Sequence, residues 1–134
     1  MNYWLVKTDP DTYSWDDLLK DKSTSWDGVR NYQARNNLKL MKINDKVLVY
    51  HSQTTKSVLG IAKISKEYFQ DPTTKDENWV AVQLDAVKSF KKPVSLELIK
   101  SHDKLQNIAL IKQSRLSVMP LSKEEFDTIC NSGK

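Results

Sequence analysis

The side chains that could do chemistry in this chain are few in type and widely spaced. Its two histidines, His51 and His102, do not stand at the i, i+4 spacing by which a helix presents a metal pair. Cys130 is the single cysteine, so neither a disulfide frame nor a thiolate metal site can be assembled from this sequence. Gly28, Gly60 and Gly133 are too scattered to form a phosphate-cradling loop. Ser52 or Ser117 activated by His51 is the only nucleophile arrangement that suggests itself, and nothing in the spacing recommends it. No catalytic residue, bound metal or cofactor is expected.

Aromatic and arginine side chains offer a stronger lead. Trp26 precedes a flexible Asp27-Gly28 turn, and Trp79 opens a run in which Val80, Val82 and Leu84 take the opposite face. A tryptophan off the apolar stripe can serve as a stacking platform for a flat ligand; closing the end of a barrel is the competing role. Trp4 and Trp15 read as core. Among 21 basic residues only Arg30, Arg35 and Arg115 are arginine, and these are candidates for positions that need a planar fork, such as a phosphate contact. For Arg30 and Arg35 a structural pair with Asp27 or Asp45 competes with that role. The net charge of +4 permits a polyanionic partner without requiring one. Asp9, Asp11, Asp16, Asp17 and Asp21 make the opening acidic, while Lys88, Lys91, Lys92, Lys100, Lys104, Lys112 and Arg115 make the later half basic. A nucleic-acid backbone would therefore approach the later half.

The elements that must position these residues are short. Asn2 to Thr8 reads as a strand stopped by Asp9-Pro10-Asp11, and Ser14 to Asp17 as a capping box opening a first helix. Lys22 to Thr24 reads as a polar connection. From about Asn31, which has the form of an N-cap, Ala34, Leu38 and Met41 recur at helical spacing. Lys46 to Ser52 is a strand apolar on both faces, ending at His51-Ser52. Val58 to Lys66 and Trp79 to Asp85 are further strands separated by a polar loop, with Gly60 marking a bulge or a close approach. Pro93 to about Lys104 reads as helical, Ile108 to Lys112 as an apolar segment, and Arg115 to Met119 as a last strand. Ser122 to Glu125 is a second capping box, opening a C-terminal helix.

With 134 residues and no linker or repeat, the chain predicts one domain over 1–134. Strands and helices mixed without a βαβ rhythm predict α+β, built on a closed or nearly closed mixed barrel. No apolar run reaches membrane-spanning length and the opening lacks a signal pattern, so a cytoplasmic, membrane-free protein is expected.

The run Trp26-Asp27-Gly28-Val29-Arg30-Asn31-Tyr32-Gln33-Ala34-Arg35-Asn36 resembles the EVE domain family. The resemblance extends to Tyr3-Trp4-Leu5-Val6-Lys7-Thr8-Asp9-Pro10, Tyr50-His51-Ser52, Gly60-Ile61-Ala62 and Arg115-Leu116-Ser117-Val118, in the family's order over nearly the whole chain. Thr8-Asp9 stands where the family commonly has Ser-Glu, a conservative exchange. The resemblance implies a PUA-like barrel flanked by helices, related to YTH domains, that recognises a modified base, either modified cytosine in DNA or methylated adenine in RNA. Carried over to this sequence, it makes Trp26 and Trp79 walls against the two faces of a flipped base. Asn31, His51 and Ser52 would then read its edge, Tyr32 line the pocket, and Ser117 and Arg115 close it or touch phosphate. Two alternatives stay open: a nucleoside or small-molecule sensor using the same pocket, and a nucleic-acid-processing hydrolase.

Overall fold

Five of the six strands lie directly beside a strand that is distant in sequence, so most of the fold is held by non-local pairing. In the computed structural model, which describes residues 1–53 and 55–134, the strands are β1 (Tyr3–Thr8), β2 (Ser23–Trp26), β3 (Lys46–His51), β4 (Ser57–Gln70), β5 (Val80–Ser95) and β6 (Val118–Leu121). The helices are α1 (Trp15–Asp21), α2 (Tyr32–Leu40), α3 (Leu96–Ser101), α4 (Ala109–Lys112) and α5 (Lys123–Ser132), with a 3-10 turn at Asp103–Leu105. The strands form one mixed sheet in the order β2-β5-β4-β3-β1-β6. Among the described residues only β1 and β3 pair in parallel, with Trp4 opposite Val47 and Val6 opposite Val49. The α+β class is as expected; the hydrogen-bonded ladder has β2 and β6 as its edges.

Burial explains why the central strands read as unbroken apolar runs. Leu5, Val6, Val47, Leu48 and Val49 are covered on both faces of the sheet. Both capping boxes form, at Ser14/Asp17 and Ser122/Glu125, and Asn31 caps α2 by accepting the Ala34 N–H at 2.9 Å. Buried Asp45 accepts bonds from the Asn2 and Lys42 backbone and from the Trp4 indole N–H, each at 3.0 Å, tying the start of β1 to the turn before β3.

Several sequence expectations need correction. Ser23–Trp26 is a strand and not a connection: its short polar residues pair with Gln83 to Asp85, and Trp26 with Val82, so the pattern is set by the neighbour and not by apolar alternation. The helix expected from Pro93 begins at Leu96, because β5 continues through Val94 and Ser95 opposite Val58 and Ser57. Residues 90–93 leave the β4 ladder there, and the Lys91 and Lys92 N–H groups donate to the Gly133 carbonyl at 3.0 and 3.2 Å. Pro93, which lacks a donor, therefore costs the ladder nothing. The last strand is displaced to Val118–Leu121 and includes Pro120, which an edge strand tolerates. Ile108 to Lys112 yields the short helix α4.

Gly60 fulfils its expected role. A Cβ there would meet the Trp15 ring at 2.3 Å and the Lys88 carbonyl at 2.7 Å, and the ladder slips beside it, between Val58 and Gly60. Trp15 lies across this notch and donates its indole N–H to Ser89 at 2.8 Å.

Candidate functional site

Beyond the C-terminal end of β1 the sheet curls, so that its two ends face a common space. A cavity of about 690 Å³ opens there. Lys7 and Thr8 from β1, Asp9, Thr12 and Tyr13 from the turn after it, and Ser117 just before β6 form one side. Thr24, Ser25 and Trp26 of β2 and the loop Asp27 to Asn31 form the other. Its size falls within the roughly 300–1,000 Å³ of ordinary small-ligand sites. Hydroxyls, carboxylates and two cations surround two aromatic rings, those of Trp26 and Tyr13, the indole being the larger.

Trp26 is only 8% exposed, and Tyr13 stands edge-on to it at 6.3 Å and 84°. Tyr13 is held by its own bonds: its hydroxyl donates to Asp21 at 2.8 Å, and its carbonyl accepts from Thr8 Oγ1 at 2.6 Å. Lys7 extends along the wall to donate to the Ser114 carbonyl at 2.8 Å, and burial lowers its pKa below the ordinary lysine value.

The loop between Trp26 and α2 is fixed by a residue far away in sequence. Fully buried Asp71, at the end of β4, accepts from the Gly28 N–H at 2.8 Å and from Arg30 Nη1 at 2.9 Å through Oδ2. Its Oδ1 accepts from the Thr73 N–H at 2.7 Å and the Thr73 hydroxyl at 2.6 Å. Burial alone would raise this carboxyl's pKa. The bonds from Thr73, Arg30 and Gly28 outweigh it and hold the pKa at about 2. Gly28 has φ +77° with open space where a Cβ would stand, so it is backbone conformation that calls for glycine. Desolvation, reinforced by the Asp71 charge, raises the pKa of Asp27 above the usual carboxylate value.

Of the residues singled out from the sequence, the structure brings Trp26, Arg30, Asn31 and Ser117 to this cavity. It does not bring Trp79 there. Trp79 lies just before β5, three residues short of the Val82 that pairs with Trp26, up to about 10 Å of extended chain away. It stacks instead on Tyr32, with ring centres 5.1 Å apart and planes at 27°. Two indoles facing each other across one pocket is therefore not the geometry of this site. Tyr32 and Arg35 belong to the Trp79 cluster, Arg35 lying 5.0 Å from the Tyr32 ring centre.

His51 is only 8% exposed and its Nε2 accepts the Trp15 backbone N–H at 2.8 Å, so it caps the region where α1 begins. Burial lowers its pKa, in keeping with a neutral, accepting ring. Ser52 donates its N–H to the Thr8 carbonyl at 2.9 Å and is not part of the cavity lining. Arg115 is exposed and outside the lining. Arg30 does form a structural ion pair, with Asp71 and not with Asp27 or Asp45. The residues missed from sequence are Lys7, Thr8, Asp9, Thr12, Tyr13, Thr24, Ser25, Asp27, Gly28 and Val29 in the lining, and the anchor Asp71. The available signal for the first two was the strand's polar end, Lys7-Thr8-Asp9.

Fold and cavity together define the class of protein: an α+β domain on one mixed six-stranded sheet, with a cavity lined from β1, β2 and the loop that follows β2. The EVE domain family matches residues 2–132, and this chain belongs to that family. Thymocyte nuclear protein 1 of Rattus norvegicus is 35% identical over an alignment covering 96% of this chain and 72% of the relative. A crystal structure of an Agrobacterium tumefaciens protein is 40% identical, with a TM-score of 0.95 over 99% of this chain and 93% of that one. The human THYN1 protein, crystallised in complex with DNA containing 5-methylcytosine, is 31% identical, with a TM-score of 0.93 over 100% of this chain and 98% of that one.

Proposed function

We propose that this protein binds DNA carrying a modified cytosine, taking the modified base out of its stack into the cavity at Trp26 and doing no chemistry on it. The observation that supports this reading is the cavity itself: Trp26 and Tyr13 among hydroxyl, carboxylate, amide and cationic side chains, in a domain that closely resembles the DNA-bound human THYN1 protein. Extrusion of a base costs a few kcal/mol, and stacking on an aromatic ring returns about 1–3 kcal/mol per base. One tryptophan offsets only part of that cost, so hydrogen bonds to the base edge must supply the rest.

The donor and acceptor pattern suits a cytosine edge. Asn31, in the cavity lining, has committed its oxygen to capping α2, which leaves its NH₂ group available as a donor. Asp27 is an acceptor for an exocyclic amino group, the pairing a carboxylate makes with cytosine N4. Thr8 and Ser117 stand on the opposite side. Lys7 supplies positive charge for a phosphate at the mouth, while Arg30, its charge met by Asp71, braces the loop beside it. In this reading the sheet is a nearly closed barrel, because residues near both of its ends share the cavity. His51 takes no part in turnover, its Nε2 being committed to Trp15.

The test is a titration of duplexes differing only in one 5-methyl group, at fixed salt. The methylated duplex is expected to bind more tightly, and Trp26→Ala is expected to abolish the difference. Equal binding of both duplexes by the unaltered protein overturns the proposal. A free nucleoside bound as tightly as the duplex would make the protein a nucleoside sensor.

A further inference from the structure

The Trp79 cluster is outside the cavity, yet it is built as carefully. Tyr32 is 64% exposed, unusual for an aromatic ring. It is nevertheless held flat, stacked on Trp79 at 5.1 Å. The Arg35 guanidinium lies 5.0 Å from the Tyr32 ring centre and 5.9 Å from that of Trp79. Arg35 thus lies close to both rings of the stack, while most of the Tyr32 surface stays open to solvent. Arg30 lies 5.4 Å from the Trp79 ring centre, so two guanidinium groups flank one stack.

Charge favours a polyanion here. Arg30 is neutralised by Asp71, whereas Arg35 is bonded to the Asn78 carbonyl and to the Asn36 side-chain oxygen, and no carboxylate pairs with it among the described residues. Its cation is therefore free to act on a ligand. The position is equally specific: Tyr32 follows Arg30 and Asn31, which line the cavity, and it stacks on Trp79, whose ring centre lies 5.4 Å from Arg30.

We infer that Tyr32, braced by Trp79 and Arg35, is a second nucleic-acid contact: a stacking platform for the nucleotide next to the extruded base. This rests on the base-binding reading of the cavity. When one base leaves the helix its neighbour loses a stacking partner, and a rigid exposed aromatic ring replaces it, with Arg35 near the adjoining phosphate. Such a contact is blind to the modification, because every base has a π face.

The experiment compares the unaltered protein with Tyr32→Ala and Tyr32→Phe on three probes: a duplex with one 5-methylcytosine, the same duplex unmethylated, and free 5-methyl-2′-deoxycytidine. Tyr32→Ala is expected to weaken both duplexes by about ten-fold while leaving their ratio unchanged. Nucleoside affinity stays the same, since a nucleoside has no neighbour to stack, and Tyr32→Phe binds all three like the unaltered protein. Duplex affinities unchanged by Tyr32→Ala overturn the platform. So does a parallel loss of nucleoside binding, or a collapsed methylated-to-unmethylated ratio, either of which would return Tyr32 to the cavity. If the unaltered protein shows no preference for the methylated duplex, the cavity reading fails by itself, and the duplex loss in Tyr32→Ala still decides the platform.

Discussion

Replacing Asp71 with Asn removes one charge, and almost no volume, from the residue that holds the site's loop. The carboxylate accepts four bonds, two at each oxygen: the Gly28 N–H and Arg30 at one, the Thr73 N–H and hydroxyl at the other. An asparagine has one acceptor atom, so whichever way its amide turns, an NH₂ group must face at least one N–H donor, that of Thr73 or those of Gly28 and Arg30. Breaking a buried pair by removing one partner costs about 3–5 kcal/mol. Arg30 is 40% exposed on its side chain and can recover some hydration, which brings the expected loss to about 2–3 kcal/mol. For a domain of this size that lowers the melting temperature by roughly 10 °C. The pH dependence supplies an independent signature. The folded carboxyl has its pKa lowered to about 2 from 3.8, so its stabilising contribution, at most about 2 kcal/mol, is fully present above the unfolded value. It is lost as pH falls from about 4 through about 2. Thermal melts between pH 7 and 2 should show this acid slope in the unaltered protein and a shallower one in Asp71→Asn. The variant should also bind the methylated duplex less tightly, its Gly28 loop no longer pre-positioned. Unchanged melting and unchanged acid slope in Asp71→Asn would refute the anchoring role.

Other predictions follow from single contacts. Asn31→Asp keeps the oxygen that caps α2 but loses the NH₂ donor, so stability should stay within about 0.5 kcal/mol while affinity for the methylated duplex falls by about ten-fold or more. Parallel chemical denaturation and duplex titration separate the two effects. Gly60→Ala drives a methyl group into the Trp15 ring and the Lys88 carbonyl and should cost about 2 kcal/mol or more, seen as a lower denaturation midpoint with altered tryptophan fluorescence. His51 has its folded pKa lowered by burial, so the unfolded chain takes up its proton first. Stability should begin to fall as pH drops through the ordinary histidine value of 6.5, and the loss should be complete below the folded value. His51→Gln should flatten that slope in melts between pH 8 and 5.

Local signals in this sequence were legible where the chain itself supplies both partners. The two capping boxes, the Asn31 cap, the Gly28 turn and the doubly covered β3 are decided within a few residues, and each is found where its pattern predicts. Ser23–Trp26 carries no apolar alternation because β5 imposes its extended form, so nothing local marks it as a strand. The same limit governed the site. Trp26, Arg30, Asn31 and Ser117 stood out by residue type, but the partner of Trp26 is Tyr13 and not Trp79, a choice made by how β2 registers on β5. Asp71 lay in a polar loop that resembled any other turn. Its importance comes from donors more than 40 positions away, Gly28 and Arg30.

A nuclear magnetic resonance titration of the labelled protein with a short duplex carrying one 5-methylcytosine tests most directly that the cavity receives the base. The Trp26 indole N–H, the backbone amides of Ser25 to Asn31 and that of Ser117 should shift strongly, and shift less with the unmethylated duplex at equal occupancy. Those signals standing still while the perturbed residues gather around Lys88 and Lys91, on another part of the surface, would contradict it.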